Sequence, residues 1–162
     1  MEKQEKTIFA GGPVQYASED GVFDENLKNI IICALNMLKM NGYKILSVHQ
    51  EEEFGKSAVM QNPDDVCLHD YTWMQQCDIY ICFLPVSKTG QIYRSDGTCI
   101  ELGWASALGK PVVILMDKRS VYSQLIQGLN AITRVIHLDI KAFMDTPSLL
   151  TEAVRTLSCQ RF

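Results

Sequence analysis

Residues 78–116, DIYICFLPVSKTGQIYRSDGTCIELGWASALGKPVVILM, hold the pattern that decides the fold. Asp78 to Leu84 is a near-continuous apolar run, as a strand buried on both faces of a parallel sheet requires. Pro85 to Ser95 reads as a long loop, Gly97 to Leu108 as a helix, and Pro111 to Met116 as a second buried strand. A strand, a helix and another apolar strand in succession form a β–α–β unit, whose right-handed crossover places the two strands parallel.

The same unit recurs outward in both directions. Thr7 to Gly12 (TIFAGG) predicts a short buried strand, followed by the polar loop QYASEDG. From Asp24 to Met40 the apolar residues Leu27, Ile30, Ile31, Ala34, Leu35 and Leu38 keep the i, i+3, i+4, i+7 spacing of a helix. Asp24 suits its N-cap and Asn41-Gly42 its stop. Tyr43 to Val48 predicts the next strand and HQEEEFGKS a loop. Pro63 to Gln76 predicts a helix, since proline in the first turn and early acids both fit a helix start. Downstream, a short helix is expected over Ser120 to Leu129, a strand over Arg134 to Leu138 and a closing helix over Ser148 to Leu157.

Five strands alternating with helices predict an α/β fold over residues 1–162, a single flavodoxin-like (Rossmann-like) domain with a five-stranded parallel sheet and helices on both faces. The commonest strand order for such a chain is 2-1-3-4-5, which puts the topological switch point between strands one and three. The loops after these two strands, GGPVQ and PVSKTGQIYRSDGT, are therefore expected to flank the ligand crevice.

Composition narrows the function. A net charge of −4 and no concentrated basic face argue against nucleic acid as a partner, while backbone N–H groups can still bind a small anion. No apolar run approaches the ~18 residues of a membrane span, and the charged start MEKQEK is unlike a secretory signal. A cytoplasmic location follows as an expectation. The six cysteines (Cys33, Cys67, Cys77, Cys82, Cys99, Cys159) show no zinc spacing and read as reduced thiols that behave as small core residues. Neither a metal nor a cofactor is expected.

Ser95-Asp96-Gly97-Thr98 opens the third helix, so its hydroxyls and free N–H groups can form an anion site, or simply cap the helix. GxxxxGK[ST] is absent, and the GG of the first loop lacks dinucleotide spacing. Glu101 lies one turn further in. A carboxylate there would suit a cationic centre a few ångströms along an anionic ligand, such as the oxocarbenium-like carbon of a breaking glycosidic bond. Asp70 reads either as a charge on a solvated helix face or as the partner acid that orients the sugar or exchanges a proton with the departing base.

Taken together, IFAGGP (8–13), HQEEEFG (49–55), HDY (69–71) with CD eight residues on, and SDGTCIELGWASALGKP (95–111) resemble the nucleoside 2-deoxyribosyltransferase superfamily. Within it, the likeness points to the nucleoside 5′-monophosphate N-glycosidases, and among these to the CMP and hydroxymethyl-CMP hydrolases. It runs from about Ile8 to Met116. The resemblance implies that Glu101 is the nucleophile, or at least stabilises the oxocarbenium ion, and that Asp70 is the helper acid. Ser95 stands where free-nucleoside transferases carry an aspartate, and a serine there implies a 5′-phosphate on the substrate. Gly97 would give its N–H to that phosphate, with Gly11 and Gly12 closing over the ribose phosphate and Asp96 pointing outward. Ser123 resembles a serine that reaches the phosphate from a neighbouring subunit, implying a homodimer. Gln15 and His49 are candidates for the base pocket. The expected reaction is hydrolysis of a pyrimidine nucleoside 5′-monophosphate to free base and ribose 5-phosphate; base exchange and a non-catalytic nucleotide sensor are the alternatives.

Overall fold

The computed structural model describes residues 5–56, 62–93 and 95–159. Its sheet has five parallel strands: β1 (Thr7–Gly11), β2 (Lys44–Ser47), β3 (Ile79–Leu84), β4 (Val112–Met116) and β5 (Val135–Asp139). Their spatial order is β2-β1-β3-β4-β5, the doubly wound order expected from the alternation of elements. β1 and β3 are therefore neighbours, in register from Ile8↔Ile79 to Gly11↔Cys82.

The period of two along each strand divides the core into two layers. Ile8, Ala10, Ile79, Ile81, Phe83, Val113 and Leu115 face α1 (Glu25–Met40) and α7 (Ser148–Cys159), which bury Leu27, Ile31, Leu35, Leu150 and Val154 against them. Phe9, Tyr80, Cys82, Val112 and Ile114 face the opposite layer, where α3 (Pro63–Gln76) contributes Met74 and α4 (Asp96–Ala107) contributes Leu102 and Ala105. The helix starts follow the sequence signals: Asp24 Oδ1 accepts from Leu27 N at 2.7 Å, and the Asn62 side chain accepts from Asp64 N with Pro63 following it.

Four local features differ from the expectations. Ser18–Glu19 pairs antiparallel with Val22–Phe23 in a region read as loop, turning through Asp20 and Gly21 at positive φ. A ribbon of two residues per strand is too short to carry a period, and buried Phe23 anchors it. Residues 48–51, expected to end a strand and begin a loop, form the one-turn helix α2 (Val48–Glu51), with the Ser47 hydroxyl accepting from Gln50 N. The helix expected over 120–129 is reduced to α5 (Gln124–Gln127) and a tight turn at Leu129–Ala131. Tyr122 holds the chain extended before it, by donating from its hydroxyl to the Leu84 carbonyl at 2.7 Å. Finally, α6 (Ile140–Asp145) follows β5 directly, with Asp139 accepting from Ala142 N. Only two of the six cysteines, Cys77 and Cys82, are buried; Cys67, Cys99 and Cys159 are exposed and Cys33 is intermediate. No helix among the described residues is long and apolar enough to cross a membrane.

Candidate active site

At the carboxyl ends of β1 and β3, the first loop, the start of α4, the end of α2 and one face of α3 enclose a cleft of about 210 Å³. Gly12, Gln15, Glu52, Asp70, Ser95, Gly97 and Glu101 are among its lining residues. Four of the described lining side chains are carboxyls (Glu52, Asp70, Asp96, Glu101), and none is basic.

Glu101 sits in the second turn of α4, only 7% exposed. Its Oε2 accepts a hydrogen bond from the Tyr80 hydroxyl, which comes up from near the start of β3. Burial pushes the Glu101 carboxyl up to about 8, and the negative charge of Asp70 acts in the same direction; the hydrogen bond from Tyr80 opposes both. The phenol itself is pushed well above its ordinary range, chiefly by burial and then by the charge of Glu101. Tyr80 therefore stays protonated and can only donate to the carboxylate. Room for this pair comes from Gly11, the last residue of β1. A Cβ there would lie 2.7 Å from the Tyr80 hydroxyl oxygen and would overlap Glu101 Oε2.

Across the cleft, Asp70 is held differently. Its Oδ1 lies 2.9 Å from His69 Nδ1, and His69 Nε2 lies 3.2 Å from Glu51 Oε2 at the end of α2. Burial raises the affinity of Asp70 for a proton, and the neighbouring His69 works against that rise. Glu52, beside it on the rim, is also pushed up, by burial first and then by the charges of Asp70 and Glu51.

The structure thus brings Glu101, Asp70, Ser95, Gly97, Gly12 and Gln15 to one cleft, with Gly11 directly behind Glu101. Ser95 occupies the cap position of α4 without bonding an amide of the helix with its side chain, and Asp96 is exposed. His49 and Ser123 lie outside the cleft lining. His49 is fully buried behind the first loop, 3.3 Å from the Pro13 carbonyl and packed on Phe23, Phe54 and Phe83. Its burial lowers its pKa to about 4, so it is neutral at ordinary pH. Ser123 is exposed and caps α5. Among the described residues, no group of three His, Cys, Asp or Glu side chains is placed to hold a metal ion.

Sequence reasoning missed Tyr80, Glu51, Glu52 and His69. His69 was visible within the HDY motif and both glutamates within HQEEEFG, but nothing in the sequence joined these two segments.

The family model described as nucleoside 2-deoxyribosyltransferase matches residues 16–149. The chain belongs to the nucleoside 2-deoxyribosyltransferase family. None of the curated proteins matches it. Among solved structures, this family member is similar to the Clostridium botulinum CMP N-glycosidase BcmB, with 24% identity, a TM-score of 0.62, and coverage of 89% of this chain and 99% of that one. The solution structure of BlsM gives 20% identity, a TM-score of 0.69 and coverage of 94% and 91%. The 2-desoxiribosyltransferase from Leishmania mexicana gives 21%, 0.50, and 75% and 70%. These likenesses are evidence for the shared fold.

Proposed function

We propose that this family member hydrolyses the N-glycosidic bond of a pyrimidine nucleoside 5′-monophosphate, CMP or a 5-substituted CMP, to free base and ribose 5-phosphate. The observation that carries the reading is the dry, tyrosine-bonded carboxyl of Glu101 in one cleft with a second acid, Asp70. Glu101 attacks the anomeric carbon through an oxocarbenium-like transition state, and water then cleaves the resulting ester. Asp70 exchanges a proton with the departing base and then with that water. Because a nucleophile must be ionised, turnover rises as pH passes through about 8, where Glu101 loses its proton.

The amides at the start of α4, with the Ser95 hydroxyl and Gly97, are assigned the 5′-phosphate. Glu101, pushed up to about 8 by burial, adds less repulsion to a bound phosphate below that pH. Gly11 and Gly12 close over the ribose phosphate, and Gln15 lies near the base. Ser123 joins this reading through a cytoplasmic homodimer, in which it approaches the partner's cleft; His49 supports the base side from behind the first loop.

The family relationship favours base exchange as the second reading. Incubation with CMP, hydroxymethyl-CMP, dCMP, UMP, AMP, GMP and cytidine, with base release followed by chromatography, separates the possibilities. Release from a cytidylate but not from cytidine is expected. Equal release from cytidine removes Ser95 as the phosphate ligand, and a new nucleotide formed with an added base establishes exchange. Tight CMP binding without base release identifies a sensor.

A further inference from the structure

One histidine stands outside the mechanism so far. His69 is bracketed by carboxylates on two different helices: Asp70 Oδ1 at 2.9 Å from Nδ1 and Glu51 Oε2 at 3.2 Å from Nε2. Each ring nitrogen thus faces an oxygen of an acid, and a nitrogen so placed can exchange a proton with it. The ring is also fixed in place, its centroid 4.1 Å from that of Trp73 one turn along α3. With its side chain 21% exposed, it lies between solvent and an acid whose own side chain is 17% exposed.

We infer that His69 is the proton reservoir for Asp70, acting through that residue and held in place by Glu51, and is thus a positioning residue of the glycosidase. The inference rests on the function proposed above. As the bond from the anomeric carbon to the base breaks, its electron pair leaves with the base. His69 Nδ1 gives its proton to Asp70, Asp70 passes a proton on to the base, and the imidazole is left neutral. When water attacks the ester, the sugar keeps the hydroxyl and the ester oxygen returns to Glu101 as carboxylate. The proton released by the water passes through Asp70 back to His69, so the cycle closes with no other reactant. The other ionisable groups facing this path are Glu52 on the rim and Glu101 across the cleft, both acidic, which leaves His69 as the base among them.

The test compares two leaving groups in His69→Gln and in Glu51→Gln, the latter altering a side chain outside the cleft lining. CMP releases a base that needs a proton; a 4-nitrophenyl riboside 5′-phosphate releases a phenolate that does not. For His69→Gln, kcat on CMP is expected to fall about 100-fold, within the span of general acid catalysis, and kcat on the nitrophenyl compound less than about 3-fold. Glu51→Gln is expected to show the same asymmetry at roughly 10-fold on CMP, and its fold is checked by circular dichroism. Equal losses on both substrates in either folded variant would mean that His69 merely holds Asp70 in position, and the reservoir is overturned. Wild-type protein that hydrolyses CMP but spares the nitrophenyl compound also overturns it, because dispensing with the proton then gains nothing. Wild-type protein that releases base from no monophosphate sinks the glycosidase reading itself, and this inference with it.

Discussion

The two walls of the cleft hold an acid each, and hold it in opposite ways. On the α4 wall, Glu101 is dry, and its partner is a neutral phenol delivered from inside the sheet. On the α3 wall, Asp70 is partly exposed, and its partner is a histidine tied to a further carboxylate. Burial raises the proton affinity of both acids, but the phenol holds its proton too tightly to give it up, whereas the imidazole is the proton source inferred above. In the proposed reaction, the group assigned to attack carbon is thus isolated from proton traffic, and the group assigned to exchange protons is connected to it.

The sharpest way to break this contrast is Glu101→Gln. Turnover is expected to fall by at least about 1,000-fold in single-turnover assays, with the fold kept because the amide oxygen can still accept from Tyr80. The stability of the same variant tests the dry wall separately. A carboxyl at about 8 in the folded chain against 4.5 unfolded binds the extra proton in the native state, so the stability contributed by this group is full below pH 4.5 and is lost as pH rises through 8. Thermal melts of Glu101→Gln should lack that decline; a parallel decline in both proteins would show that Glu101 is not its source.

Asp70→Asn removes the proton exchanger on the wetter wall while preserving its shape. A fall of about 100-fold on CMP is expected, and near-normal kcat would detach Asp70 from the chemistry.

Tyr80→Phe is the mildest of the three. It takes away the interaction that lowers the pKa of Glu101, so the rising limb of the pH–rate profile should move to more alkaline pH, with kcat at pH 7 down about 10-fold, or roughly one unit of pKa. An unmoved limb would separate the phenol from the nucleophile.

How much of this could be read in advance depended on the range of each signal. The parallel sheet was legible because Asp78 to Leu84 and Pro111 to Met116 are apolar on both faces, a pattern few other folds require. Glu101, Asp70 and Ser95 stood out within recognisable motifs. Tyr80 did not, because in a strand buried on both sides an aromatic residue is ordinary core, and only the three-dimensional path of its hydroxyl reveals the contact with Glu101. The Glu51–His69 pairing was hidden for another reason: it joins two different helices, and α2 is a single turn with no period to detect. The ribbon at Ser18–Phe23 and α6 escaped for similar want of length.

Ser47 is both the last residue of β2 and the cap of α2, with no residue between the two elements. Chain length at that junction therefore sets where Glu51 and Glu52 sit. One residue inserted after Ser47 would turn the following helix by about 100°, swinging Glu51 away from His69 and Glu52 off the rim, whereas the exposed tip at Lys88–Gln91 could lengthen without touching either wall. Homologues that differ by insertion at the first place should differ in what they do to a leaving group; those that differ at the second should differ in little more than their outline.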